Sequence, residues 1–202
     1  CDTHLRCPRR SAAVEHRASS LGRMSETTTE HLPALTVIGT GYLGAVHAAC
    51  MANFGYDVLG VDVDEEKIAA LAAGKAPFYE PGLDEALTEA MASGRLRFTT
   101  DFAQAAEFGD VHFLCVGTPQ QAGSNAADVS HVNAAAESLA IHMKRPALVV
   151  GKSTVPVGTA ARLKSLFHKL APAGEQIDLA WNPEFLREGF AVADTNHPDR
   201  LV

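Results

Sequence analysis

Ala34-Leu-Thr-Val-Ile38 runs straight into Gly39-Thr-Gly41-Tyr-Leu-Gly44, and that junction decides how the rest of the chain reads. The first five residues are a short apolar run with β-branched members, the pattern of a buried strand. From Ala45 to Phe54 the sequence reads as helix. A G-x-G-x-x-G alone is weak evidence and fits a turn in any α/β domain; between a strand and a helix it has the setting its chemistry requires. Gly39 permits the tight turn, Gly41 lets the backbone approach a pyrophosphate, and Gly44 lets helix and strand pack closely. The helix start then offers unpaired N–H groups and partial positive charge to phosphate. A second strand, Asp57 to Asp62, ends in an acid eighteen positions after Gly44. A carboxylate near that spacing accepts hydrogen bonds from the adenosine ribose and repels a 2′-phosphate, so NAD is expected rather than NADP. Asp64 competes for the role but suits the cap of a helix opening at Glu65. Lys67 reads two ways, as a solvated helix charge or as a partner of ribose or phosphate.

Outward from this unit, strand and helix alternate. Helices are expected at 65–73, 83–93, 101–108, 130–143 and 158–170, and strands at 95–100, 111–116, 147–152 and 177–181. Phe78-Tyr-Glu-Pro-Gly82 reads as a turn and 123–127 as a flexible loop. Six strands with intervening helices imply an α/β fold: a Rossmann-like doubly wound parallel sheet, helices on both faces, in order 3-2-1-4-5-6. In such a sheet the chemistry lies at the carboxyl edge of the strands. Three segments reach that edge: Val116-Gly-Thr118-Pro119, Lys152-Ser-Thr154-Val-Pro156, and Trp181-Asn-Pro-Glu184-Phe-Leu-Arg-Glu188-Gly189. In the last, the offset of four is expected to place Glu184 and Glu188 on one face of a helical turn, one to handle a proton and one to hold a ligand. The bland alternative for each is an exposed acid favoured at a helix start.

Composition narrows the class. With 202 residues, 47% of them hydrophobic, the chain is long enough for one sizeable core. A net charge of −7 and no basic patch argue against nucleic acid. No apolar run approaches the ~20 residues that cross a bilayer, so no membrane association is expected. Cys1, Cys7, Cys50 and Cys115 show no metal-ligand spacing, so neither a metal nor a disulfide framework is expected, and the compartment reads as reducing cytoplasm. Residues 1–33 read as a disordered or non-native extension, 1–23 as translated upstream sequence before a bacterial-type start at Met24, and 34–202 as the dinucleotide-binding domain. A new strand is expected to open after Pro198, which reads as a fragment's end.

GTGYLG (39–44), GVDVDEEKI (60–68), FYEPGL (78–83), VGTP (116–119), KSTVPVGT (152–159) and NPEFLREG (182–189) occur in this order. Together they resemble the UDP-glucose/GDP-mannose dehydrogenase family, and within it the UDP-glucose 6-dehydrogenases. That resemblance implies oxidation of C6 of a UDP-sugar from alcohol to carboxylate with two NAD, through a covalent thioester, in a homodimer or higher homo-oligomer. It implies that Gly39, Gly41, Leu43 and Gly44 wrap the pyrophosphate, with Tyr42 among the cofactor-binding residues, and that Asp62 and Lys67 hold the ribose. Thr118 would line the nicotinamide side. Thr154 would orient a water or the reacting oxygen beside the cofactor, and Glu184 would be the acid/base carboxylate that assists thioester hydrolysis. Glu188 would contact the cofactor, and Glu184 to Glu188, with Phe185, Leu186 and Arg187, would run along the sugar nucleotide. The family's nucleophilic cysteine and its active-site lysine and asparagine belong to segments without counterpart here, so this chain is expected to bind NAD without turnover. GDP-mannose dehydrogenase and a non-catalytic dinucleotide-binding module are the alternatives.

Overall fold

A computed structural model of the chain describes residues 32–198. The expectations for residues 1–23, most of 1–33, and a strand after Pro198 lie outside those residues. β1 (Leu35–Ile38) leads through the glycine turn to α1 (Tyr42–Asn53) and β2 (Val58–Val61). Next come α2 (Glu65–Ala72), α3 (Leu83–Ala92), β3 (Leu96–Thr99) and α4 (Phe102–Phe108). β4 (Val111–Leu114), α5 (Ser130–Ala140), β5 (Ala147–Gly151) and α6 (Thr159–Leu170) follow. A 3-10 turn (Gly174–Gln176), β6 (Ile177–Trp181) and a short α7 (Ala191–Asn196) complete the order.

The strands form one parallel sheet in the order β3-β2-β1-β4-β5-β6, as the six strands with intervening helices implied. β1 and β2 are central and buried at every position, which is why they read as continuous apolar runs and not as alternation. Leu35 and Val37 face a layer holding α1, α3 and α7, while Ile38, Leu114 and Val149 face α4, α5 and α6. One polar pair crosses the middle of the sheet. Thr36 and His112 are register partners, and Thr36 Oγ1 and His112 Nδ1 share a 2.7 Å hydrogen bond in a fully buried setting. Asp64 and Asp101 cap α2 and α4, as expected: Asp64 accepts from the Lys67 amide, and Asp101 from the Ala103 and Gln104 amides.

Two local expectations change. α1 begins at Tyr42, directly after the glycines, instead of at Ala45. The segment after β6 is not helical at 182–187 and makes only a turn at 188–190, with α7 beginning at Ala191. Asn182 N–H donates to Gly151 O at 2.8 Å and Glu184 N–H to Lys152 O at 3.0 Å, so these amides are tied to the end of β5 and its following residue instead of to a helical turn. Glu184 and Glu188 therefore share no helical face. Among the described residues, no helix is long and apolar enough to cross a membrane.

Candidate functional site

Where β1 and β4 part to opposite crossovers, a cleft of about 440 Å³ opens at the carboxyl edge of the sheet. Gly39, Gly41, Asp62, Lys67, Val116 and His131 are among its lining residues. The glycine turn has the shape that phosphate binding needs. Gly39 sits at φ +89°, and a Cβ on Gly44 would lie 1.8 Å from the Gly39 carbonyl oxygen, so neither position accepts a side chain. A Cβ on Gly41 would meet nothing within 4 Å: that glycine faces open space in the cleft. No side chain caps α1, so its first N–H groups remain available at this edge.

Asp62 is 8% exposed and its carboxylate is held from several sides. Oδ2 accepts from the Thr40 amide (2.8 Å), Thr40 Oγ1 (3.1 Å) and Lys67 Nζ (2.9 Å), while among the described residues Oδ1 accepts only from the Asp64 amide (3.2 Å). Oδ1 is thus the oxygen with acceptor capacity to spare. Burial alone would raise this carboxyl; the Lys67 ammonium and the two amides outweigh it and hold it below the usual carboxylate value. Lys67 pairs with this carboxylate at the cleft and so is not a freely solvated helix charge.

The three edge segments are physically tied. Thr118 Oγ1 donates to Thr154 O at 2.8 Å, Ser153 Oγ to Val116 O at 2.5 Å, and Trp181 Nε1 to Ser153 O at 2.9 Å. Thr154 itself is exposed at the end of β5. Glu184 meets a partner absent from the sequence reading: the buried Lys152, whose Nζ donates to Glu184 Oε2 at 2.8 Å. Burial raises Glu184, but the Lys152 bond, the Phe185 amide and the Lys152 charge reverse it, and the carboxyl stays ionised below its ordinary value. His47, on α1, is kept neutral, its value lowered to about 4 by burial and by the Lys152 charge.

The remaining candidates scatter. Leu186 packs into the core beside α1, Phe185 is 77% exposed, and Arg187 forks onto Asp194 at 2.8 and 2.6 Å while stacking on Phe190. Glu188 is exposed, outside the cleft lining, and near enough to Tyr42 to help raise its hydroxyl. Tyr42 turns its hydroxyl to Glu80 and Gly189, not into the cleft. Cys50 and Cys115 are buried thiols, pushed up by burial to about 11 and about 12, so neither is an accessible thiolate. Lys152 and Glu80 escaped the sequence reading. Lys152 left a signal, since it closes an apolar strand, where a charge needs a partner. Glu80 lies within the quoted FYEPGL stretch, but nothing in a turn motif marks a carboxylate as buried.

Residues 34–202 match the NAD binding domain of the UDP-glucose/GDP-mannose dehydrogenase family. The chain belongs to that family. It is 47% identical over 168 residues to a UDP-glucose 6-dehydrogenase of Rhizobium meliloti, an alignment covering 83% of this chain and 38% of that protein. A UDP-glucose dehydrogenase structure from Pyrobaculum islandicum superposes with a TM-score of 0.80 at 41% identity, covering 85% of this chain and 40% of that one. A GDP-mannose dehydrogenase ternary complex from Pseudomonas aeruginosa gives 0.77 at 35% identity, over 81% and 39%. The chain thus spans about two fifths of the length of these relatives. NAD is the cofactor of the matched domain, and the open face at Gly41, the uncapped α1 and the spare acceptor on Asp62 fit it.

Proposed function

We propose that this chain is the NAD-binding part of a nucleotide-sugar dehydrogenase that oxidises the C6 alcohol of UDP-glucose to a carboxylate. The observation that carries the reading is the carboxyl-edge cleft, where an uncapped helix start faces a buried, ionised Asp62. The higher identities to UDP-glucose dehydrogenases than to GDP-mannose dehydrogenase support the UDP-sugar. In this reading the amides at Gly41 to Gly44 and the start of α1 hold the pyrophosphate, and Asp62 Oδ1 accepts from the ribose while Lys67 steadies the carboxylate. Bound NAD supplies the hydride acceptor. Thr118 and Thr154, joined by their hydrogen bond, border the nicotinamide side. Glu184, ionised against Lys152, accepts a hydrogen bond from the water or oxygen at the reacting carbon and orients it. Glu188 and Phe185 lie on the exposed side, toward the sugar nucleotide. The nucleophile and the sugar-closing residues belong to the rest of the protein.

Calorimetric titration of the chain with NAD and NADP tests the cofactor half. NAD is expected to bind about tenfold or more tightly, because a 2′-phosphate would meet the Asp62 carboxylate. Asp62→Ala should weaken NAD strongly. Equal affinity for the two dinucleotides would sink the Asp62 assignment. For the substrate half, the full-length protein is assayed by NADH absorbance with UDP-glucose and with GDP-mannose; preference for the latter would reverse that choice.

A further inference from the structure

The Glu80 carboxylate is 5% exposed, and the groups that hold it come from two distant stretches. Oε2 accepts from the Tyr42 hydroxyl, at the first position of α1, and from the Gly189 amide at 2.8 Å. Oε1 accepts from the Ala191 amide at 2.7 Å, with the Val192 amide at 3.4 Å. The Tyr42 oxygen in turn accepts from the Gly189 amide at 3.1 Å. Burial works against the charge, but the hydroxyl and the three amides prevail and keep Glu80 below the ordinary carboxylate value. Tyr42 is driven the other way, up to about 12, by burial and by the Glu80 bond, so it stays a donor.

A buried carboxylate is a costly core filler, and an apolar residue of similar size would pack as well. What it supplies is direction. Tyr42 follows Gly41, which lines the cofactor cleft, and Gly189, at φ +82°, follows Glu188. One side chain from the turn before α3 therefore fastens the phosphate-binding helix start to the turn that ends the Glu184–Glu188 segment.

We propose that Glu80 is a positioning residue: it pins the Gly189–Val192 backbone to Tyr42, sets the direction of the 184–188 segment, and couples that segment to NAD bound at the glycine turn. The proposal rests on the reading of 184–188 as the sugar-side segment. Glu80 touches no ligand and acts through the two segments it joins. Occupancy of the cleft steadies the start of α1, hence Tyr42, hence the pin.

Hydrogen–deuterium exchange of the chain, followed peptide by peptide, tests this with Glu80→Gln and Tyr42→Phe. The glutamine side chain keeps the volume but turns an NH₂ toward backbone donors. In Glu80→Gln, exchange over 186–193 should rise about tenfold or more, while peptides of β1, β2 and β4 keep their rates. Tyr42→Phe should give a smaller rise in the same peptide. Saturating NAD should slow exchange over 186–193 in the unaltered chain and do so weakly or not at all in the two variants. Unchanged exchange in Glu80→Gln, or a uniform rise across the sheet, overturns the pin. NAD bound by the unaltered chain without protection of 186–193 overturns the coupling. If calorimetry shows no NAD binding at all, the proposed function fails, and the exchange rates without ligand still decide the pin.

Discussion

At the scale of single residues, the ion pair behind the candidate site sets an asymmetry between its two members. The Lys152 side chain is 8% exposed and that of Glu184 31%. Removing the carboxylate strands an ammonium in a dry place; removing the ammonium leaves a carboxylate that water partly reaches. Glu184→Gln should therefore cost more stability than Lys152→Met, by about 1–2 kcal/mol in urea unfolding. The reverse order would show that the pair is more solvated than its geometry suggests. In Lys152→Met the Glu184 carboxyl should rise, since its main opposing partner is gone, and carbon-detected NMR titration reads that directly. The glycines and Asp62 were legible because they answer to stringent backbone and charge requirements at fixed spacing. Lys152 and Glu80 were not, because their roles depend on partners 32 and up to 112 positions away. Gly44→Ala, with its Cβ 1.8 Å from a carbonyl oxygen, should abolish NAD binding and destabilise the turn, and calorimetry beside urea unfolding reads both.

At the scale of elements, the joints are held by side chains that periodicity does not reveal. Arg145 sits just before β5 and reaches the end of α4, where Nη2 donates to the Gly109 carbonyl at 2.6 Å and also contacts Glu107 and Phe108 O. Its Nη1 donates to Asp110 at 2.6 Å, and Asp110 Oδ2 accepts from the Ala34 amide at 2.9 Å. One guanidinium thus ties the entrances of β1, β4 and β5 to the C-terminal end of α4, where cations are favoured. Arg145→Ala should cost about 1–3 kcal/mol of stability in urea unfolding, with NAD affinity unchanged because the cleft is at the opposite edge. Arg145→Lys should recover little, since an ammonium cannot reproduce the fork. A loss of NAD affinity without loss of stability would contradict this. The helices and strands themselves were legible from apolar runs, caps and glycine stops. The 182–190 stretch departs from the helical expectation because backbone hydrogen bonds to the Gly151 and Lys152 carbonyls, and the left-handed Gly189, override the helical spacing of its carboxylates.

At the scale of the whole molecule, the sheet order followed from the fingerprint and the strand–helix alternation, since short right-handed crossovers leave few other arrangements. What the pattern could not reveal is that two neutral histidines are built into this fold. His112 lies fully buried in β4, its value lowered from 6.5 to about 4 by burial first and the Arg145 charge second, with Asp110 opposing. His47 is lowered to a similar value. A histidine with a depressed folded value binds its proton more readily when unfolded, so stability is full above the unfolded value and falls as pH drops toward the folded one. The window is therefore pH 6.5 to 4, and a fall from 6.5 to about 4 at His112 corresponds to at most roughly 3.5 kcal/mol. Asp62, Glu80 and Glu184, held below their ordinary values, continue the loss at still lower pH. Urea midpoints measured at neutral pH and at steps down through this window should decline steadily. His112→Gln keeps an amide for the Thr36 hydroxyl but has no proton to take up, so it should flatten roughly half of that decline while lowering the neutral-pH midpoint. A variant with the unaltered slope would mean that His112 is solvated or already charged in the folded chain, and the sheet's central polar pair would need another description.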